Sequence, residues 1–339
     1  MAQNPEKAGA LAGLETAANA LAISLKDEAT AQAQDEAAFV ALTAVDEKAN
    51  EASTQLDHAR AFLTLRSLRL KMAVGAAKDI EGSAGQPYAL VLAGAVRNTM
   101  QEAEGHRRNS QITLTKSRNA LVTLEPSADE ALTAADSAFS FRLSESGPHL
   151  QAANVEIPEA TTAALRLTAN VEDPDVETVK SNIQPVDAKM EEVTHAWFEG
   201  TDEAGRIREH ARVMKAWVTF ACTKFDDSLG ESPQQTDLGE STAHLNELET
   251  ALRSESLGVA AVRQASGRLV ASLESAIETD IATLAVVRSV IGHLTTVREL
   301  YQGTIEPHGA TVRANTQTTA GLTATTNLIR ATRQAVEKL

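Results

Sequence analysis

Residues 38–73 read AFVALTAVDEKANEASTQLDHARAFLTLRSLRLKMA. Leu42, Ala49, Leu56, Leu63 and Leu70 recur at every seventh position, and Ala38, Val45, Ala52, Ala59 and Ala73 fill the positions three residues on. This is the a/d register of a helix that buries one narrow stripe against partner helices. Leu14 and Leu21 carry the register back towards Pro5, with interruptions at Glu28, Asp35 and Arg66. From Pro5 to Glu81 there is no further proline, and no glycine lies between Gly13 and Gly75. A continuous helix over this stretch would be about 110 Å long at its usual rise per residue. The stretch therefore predicts an elongated molecule.

A second long pattern runs over 236–305. Leu245, Leu252, Val259, Leu273, Val287 and Leu294 share one heptad line, with Leu248, Val262, Leu269, Val290 and Val297 three residues on. Ile277, Leu284 and Ile291 form a second line, as a stutter in the repeat produces. The two long patterns match in length, so antiparallel pairing between them is expected. Pro307-His308-Gly309 is expected to turn the chain into a last helix, 310–339, which is rich in threonine and weakly amphipathic.

The middle of the chain has a different texture. Seven of the 9 prolines lie between Pro87 and Pro233, as do most of the aromatic residues. The cluster Gly82-Ser83-Ala84-Gly85-Gln86-Pro87 ends the first helix, and a second helix is expected from Pro87 to about Arg108. Period-two alternation follows at Gln111–Thr115 and Leu121–Leu124, around a turn-like Lys116-Ser117-Arg118-Asn119, which predicts a β-hairpin. Phe139–Leu143, Ala153–Ile157 and Leu165–Val171 alternate in the same way. Short helices at 127–138 and 158–165 are the competing reading. Helical spacing resumes near Val176, with a restart at Pro185, a C-terminal cap at Gly200 and a further helix to about Ser228.

The expected fold is mainly α: an antiparallel long-helix bundle, or coiled-coil stalk, with a small, partly β head. Residues 1–106 would supply the stalk, 107–173 the head, and 174–339 the helices that return along the stalk.

Composition narrows the function classes. The hydrophobic share is 43% but aromatics make up only 3%, which suits close helix-on-helix packing. A net charge of −15 and a pI near 5.0 disfavour nucleic acid, which is bound mainly through Lys and Arg contacts to phosphate. The one cysteine, Cys222, sits in an apolar run and reads as a small core residue. The polar start, Met1 to Lys7, is unlike a signal peptide, and no run of 18 apolar residues occurs. The expected location is cytoplasmic, or exported without a cleaved N-terminal signal.

No catalytic, cofactor or metal motif stands out. Glu192 and His195 have the i, i+3 spacing used in bundle metal sites, but the pair occurs once, beside Glu240 and His244 at i, i+4. The plainer reading is a solvated helix surface. The eight histidines are scattered, and no phosphate loop or nucleophile elbow appears. Basic clusters at Arg66, Arg69 and Lys71, and at His106, Arg107 and Arg108, read as solvating charges or as a dock for an acidic partner or lipid headgroup. The apolar runs Tyr88–Val96 and Ile281–Ile291 read as core helix.

Two functional readings follow. One is a non-enzymatic structural or interaction protein that assembles with itself or a protein partner, without nucleic acid or cofactor. Phe139 and Phe141, on an edge strand, and Arg107 and Arg108 would then be contact residues. The other is a membrane-active protein of the α-helical pore-forming type, whose general plan the expected layout resembles. A membrane partner belongs to that reading alone.

Overall fold

In a computed structural model the chain is almost entirely helical, and residues 5–84, 86–169, 171–230, 237–254 and 258–339 are described. Among these, seven α-helices and one π-helical turn follow in order. They are α1 (Pro5–Gly82), α2 (Ala89–Phe141), the π turn (Arg142–Ser146), α3 (Gly147–Thr168), α4 (Asp175–Ile183), α5 (Val186–Leu229), α6 (Gly239–Arg253) and α7 (Val259–Lys338).

The first heptad register is the core. Leu14, Leu21, Leu42, Ala49, Leu56, Leu63 and Leu70 are all fully buried, and Ala38, Val45, Ala52, Ala59 and Ala73 lie beside them. The break at 82–88 is where α1 ends and α2 begins, with Gly85 outside the described residues.

The expected β head is not found: no strand occurs among the described residues. The predicted hairpin at 111–124 and the predicted strand at 139–143 lie in α2 and the π turn. The runs at 153–157 and 165–169 lie in α3 and its C-terminal end, Asn170 being outside the described residues. The hydroxyls that created the alternation are satisfied by the helix itself. Thr113 donates to the Asn109 carbonyl, Thr115 to Gln111 and Ser117 to Thr113. Through this region the buried positions step by three and four: Ser110, Leu114, Ser117, Leu121, Leu124, Ala128, Ala131, Ala135 and Ala138. A longer-range helical period overrides five-residue alternation.

Pro126 and Pro158, which follow the predicted strands 121–124 and 153–157, lie inside α2 and α3, and Pro307 of the expected turn lies inside α7. Each removes one helix hydrogen bond, a loss that packing on both sides outweighs. So α7 runs through the expected turn at 307–309, and the predicted helix 236–305 is instead α6 followed by the start of α7. Likewise α5 passes through Gly200 without a cap. Gly200 has another use there: a Cβ would lie 3.2 Å from that of Ala314.

The chain divides into two compact units. Unit 1 comprises Met1–Ala44, Ser127–Lys215 and Leu300–Leu339. In it α1 runs antiparallel to α7: Lys7 meets Glu337, Glu15 meets Arg333, Asp35 meets Asn315 and Thr43 meets Tyr301. The α2–α3 segment runs antiparallel to α1 (Asp35 with Arg142, Asp27 with His149) and to α5 (Asp136 with Arg208, Asn154 with Thr194). Gly321 of α7 packs on Val193 of α5 and closes the ring of four helical segments. Leu14, Leu21, Ile157, Val193, Trp197, Leu322 and Ile329 are in its core.

Unit 2 comprises Val45–Pro126 and Ala216–Glu299. Within it, α1 pairs with α7 through Asp46–Arg298 and Arg66–Asp280, and with α2 through Arg69–Glu102. Arg97 of α2 reaches Glu249 of α6, and Arg268 of α7 reaches Glu247. The core includes Leu70, Ile80, Val96, Leu245, Leu248, Leu269 and Leu273. The second register is therefore also core, with Val259 as an exposed exception at the start of α7.

Candidate interaction surface and buried polar layers

The three interruptions of the first register are buried rather than excluded. Glu28 is 1% exposed, Asp35 4% and Arg66 0%. Asp35 and Arg66 find partners on other helices, whereas Glu28 has none among the described residues, and each unit contains one charged layer in its core.

In unit 2, Arg66 donates from Nη1 to Oδ1 of Asp280, and both side chains are fully buried. Asp280 occupies the heptad line of Leu273 and Val287, at a position where the run of apolar residues lapses. Burial pushes its carboxyl up to about 6 even though Arg66 pulls the other way. The same burial lowers the Arg66 guanidinium from its ordinary value, against the pull of Asp280. Desolvation exceeds what a single pairing returns.

In unit 1, the guanidinium of Arg142 is fully buried and its Nη2 donates to Oδ2 of Asp35 and, at 2.6 Å, to Oδ1 of Asn315. Asn315 donates back to Asp35 at 2.9 Å. The π turn is what aims Arg142. Gly147 N–H bonds to the Arg142 carbonyl five residues back, and both Arg142 and Ser146 point inward. The extra residue in that turn resets the buried face before α3 begins. Ser146 accepts a hydrogen bond from Trp197 Nε1 at 2.9 Å, which ties α5 to the turn.

Facing this layer, α7 presents a line of threonines seven residues apart: Thr304, Thr311, Thr318, Thr325 and Thr332, none more than 1% exposed. Four of the five return their hydroxyl to a carbonyl of α7 itself, those of Tyr301, Pro307, Gly321 and Leu328. Thr318 Oγ1 has no partner among the described residues. The seam was hidden in sequence because threonine does not count as apolar. A hydroxyl bonded to its own helix leaves the methyl group to pack.

The residues expected to make contacts lie on helices and in different units. Phe139 and Phe141 are both half-buried in α2. Two residues apart on a helix they face different directions, so they do not form the edge-strand pair that alternation suggested. Phe139 packs near Gly205 of α5 with the Arg208 guanidinium 5.1 Å above its ring. In unit 2, Arg107 is held by Glu104 and Gln111, while Arg108 is 72% exposed and reaches Glu104 only at 3.7 Å. The hydrogen bond to Glu104 also raises the Arg107 guanidinium above its ordinary value. Both arginines border an open cleft of about 460 Å³ with Arg97, Asp237 and Thr242.

Comparison with known proteins returns no similarity: no family model matches the chain, nor does any curated protein or solved structure.

Glu192 and His195 are exposed on α5 and border an open cleft with Ala320 and Gly321. Among the described residues, no group of three or more His, Cys, Asp or Glu side chains is placed to hold a metal ion. Cys222 is buried with its thiol near the Leu121 carbonyl, and burial pushes it up to about 12. The outer face of α1 in unit 2 carries Ala61, Leu65, Leu68 and Met72, all exposed. Sequence reading overlooked this stripe because the core register on the opposite face of the same helix is stronger. Its signal was there, as steps of four, three and four.

Proposed function

We propose that this chain is a non-enzymatic helical interaction protein that assembles with itself or with a protein partner. The observation that carries this reading is the second apolar stripe of α1, with Leu65 42%, Leu68 52% and Met72 50% exposed. Residues spaced four, three and four apart make a seam, and this one faces away from the core that the first register fills. Contiguous exposed apolar surface on a helix commonly marks a contact. Phe139, Phe141, Arg107 and Arg108 remain candidate contacts, Arg108 best placed by exposure.

Light scattering over a range of protein concentration tests self-assembly. Wild-type chain should gain mass with concentration, and Leu68→Glu with Met72→Glu should lose that gain at unchanged helicity. A mass that stays that of one chain at every concentration refutes self-assembly and leaves a protein partner. A mass gain that the double variant retains refutes the stripe.

One observation favours a second reading, membrane activity of the α-helical pore-forming type. α1 holds an 18-residue window of mean hydropathy 1.3, of which 28% is buried, and by length and composition it could cross a membrane. A core helix passes the same test, so this reading ranks second. Release of dye from liposomes by the intact chain would favour it; no release at any lipid composition removes it.

A further inference from the structure

The interior of unit 1 gathers more hydrogen-bonding capacity than it uses. Ser24 Oγ, both carboxyl oxygens of Glu28, Thr318 Oγ1, and Nε and Nη1 of Arg142 have no partner among the described residues. The four side chains are 3%, 1%, 1% and 0% exposed. Ser24 and Glu28 are one helical turn apart on α1, and Asp35 is two turns further along the same face. Arg142 uses one edge of its guanidinium on Asp35 and Asn315 and leaves the other edge unmatched. Thr318 is the one threonine of its heptad line that does not bond back to its own helix. The α5 backbone closes over the layer at Gly200, where a Cβ would stand 3.5 Å from Arg142 Nη1.

Charge counting then decides the chemistry. Two carboxylates share one guanidinium, so with both ionised the layer holds one uncompensated negative charge away from water. Such a charge is costly enough that the group takes up a proton instead. Asp35 accepts from Arg142 and Asn315, whereas Glu28 accepts from nothing described. We propose that this layer is a proton-binding site, in which Glu28 takes up the proton that balances the interior of unit 1 and releases it on alkalinisation, loosening the π turn. As an acid, Glu28 gains one O–H to donate, and the hydroxyl oxygens of Ser24 and Thr318 are the unmatched acceptors. As a carboxylate it competes with Asp35 for Arg142.

Burial pushes the Glu28 carboxyl up to about 7, Asp35 adding to the rise and Arg142 opposing it. The other charged groups come from α1, the π turn and α3. On α1 they are Asp27 and Asp35, and the π turn gives Arg142. From α3, His149 pairs with Asp27 and is 44% exposed. Where they meet the layer, α5 presents Trp197 and Gly200, and α7 presents Asn315 and Thr318, all uncharged. The folded-state value lies above the ordinary 4.5, so the contribution is fully present below about pH 4.5 and is lost as pH rises through about 7.

Hydrogen exchange on the full chain, corrected for the intrinsic pH dependence of exchange, tests this. Protection in peptides covering 21–35, 139–150 and 311–322 should fall roughly 100-fold between about pH 5 and pH 8. Glu28→Gln should lose most of that fall, leaving at most the share that Asp280 adds when the whole chain opens, while His149→Gln should keep the wild-type fall. Wild-type protection that does not fall, an equal fall in Glu28→Gln, or a fall abolished by His149→Gln overturns the proposal. Should Glu28→Gln not fold, carbon-13 titration of glutamate carboxyls in the wild-type chain decides. A Glu28 carboxyl that titrates near 7 supports the site, and one that titrates below about 5 overturns it.

Discussion

Replacing Arg66 by leucine would leave the Asp280 carboxylate fully buried without its partner. Both side chains are 0% exposed, so solvent cannot make up the loss. Removing one member of a buried ion pair costs about 3–5 kcal/mol at neutral pH. Asp280 has a partial escape, because burial has already pushed its carboxyl up to about 6 and losing Arg66 pushes it further. The variant should therefore recover much of its stability in mild acid. The wild type follows the same sign more weakly. The folded value of about 6 lies above the ordinary 3.8, so stability from this group is fully present below about pH 3.8 and is lost as pH rises through 6. That displacement corresponds to about 3 kcal/mol by linkage. The double change Arg66→Met with Asp280→Leu removes both charges and keeps the volume, and it should equal or exceed the wild type by about 1–4 kcal/mol at neutral pH. Urea unfolding followed by circular dichroism, at pH 5 and pH 8, measures all three. A loss below about 1 kcal/mol for Arg66→Leu at pH 8 refutes the reasoning. So does a double variant as unstable as the single one.

Two further outcomes are expected. At Gly321 a Cβ would stand 2.4 Å from Val193 Cγ2, so Gly321→Ala should destabilise the chain by about 1–3 kcal/mol through overpacking. Adding Val193→Ala should return part of that loss in a melting experiment; no change from Gly321→Ala alone would refute the close approach of α5 and α7. The Cys222 thiol, buried and pushed up to about 12, should resist a thiol-specific alkylating reagent at pH 8 in the folded chain and react once unfolded, and rapid native labelling would contradict the burial.

The helical core was legible in sequence because its signal repeats over many turns. Leucine and alanine at every seventh position of α1 could only be reconciled with one buried face, and even the lapses at Glu28, Asp35 and Arg66 kept the register. A charge at a seam position reads as an interruption until its partner is known, and Arg142 and Asp280 lie 107 and 214 residues away from theirs. Nothing in local sequence announces such a pairing. The strands were misread for the opposite reason. Gln111–Thr115 and Phe139–Leu143 alternate over five residues, too few for the helical steps at Leu114, Leu121, Leu124 and Ala128 to register. Prolines at 126 and 158 follow the alternating runs 121–124 and 153–157, yet helix continues through both. The last helix was undervalued because its seam is made of threonine, and Arg107, Arg108, Phe139 and Phe141 were grouped by a strand geometry that α2 does not have.

That threonine line gives the C-terminal part of α7 an unusual character when it is not packed. A seam of valines has the same shape, but on exposure it presents two methyl groups per position to water. Threonine replaces one of these with a hydroxyl, reducing the solvent penalty of exposure by something on the order of the 0.8 kcal/mol that one buried carbon is worth. Over Thr304, Thr311, Thr318, Thr325 and Thr332 the difference accumulates, while Leu322, Ile329 and Val336 on the neighbouring line keep the apolar hold of this stretch on its unit. A detached C-terminal part of α7 would be less sticky along this line than a valine seam would make it. Only the leucine, isoleucine and valine line beside it would then invite contact with other chains.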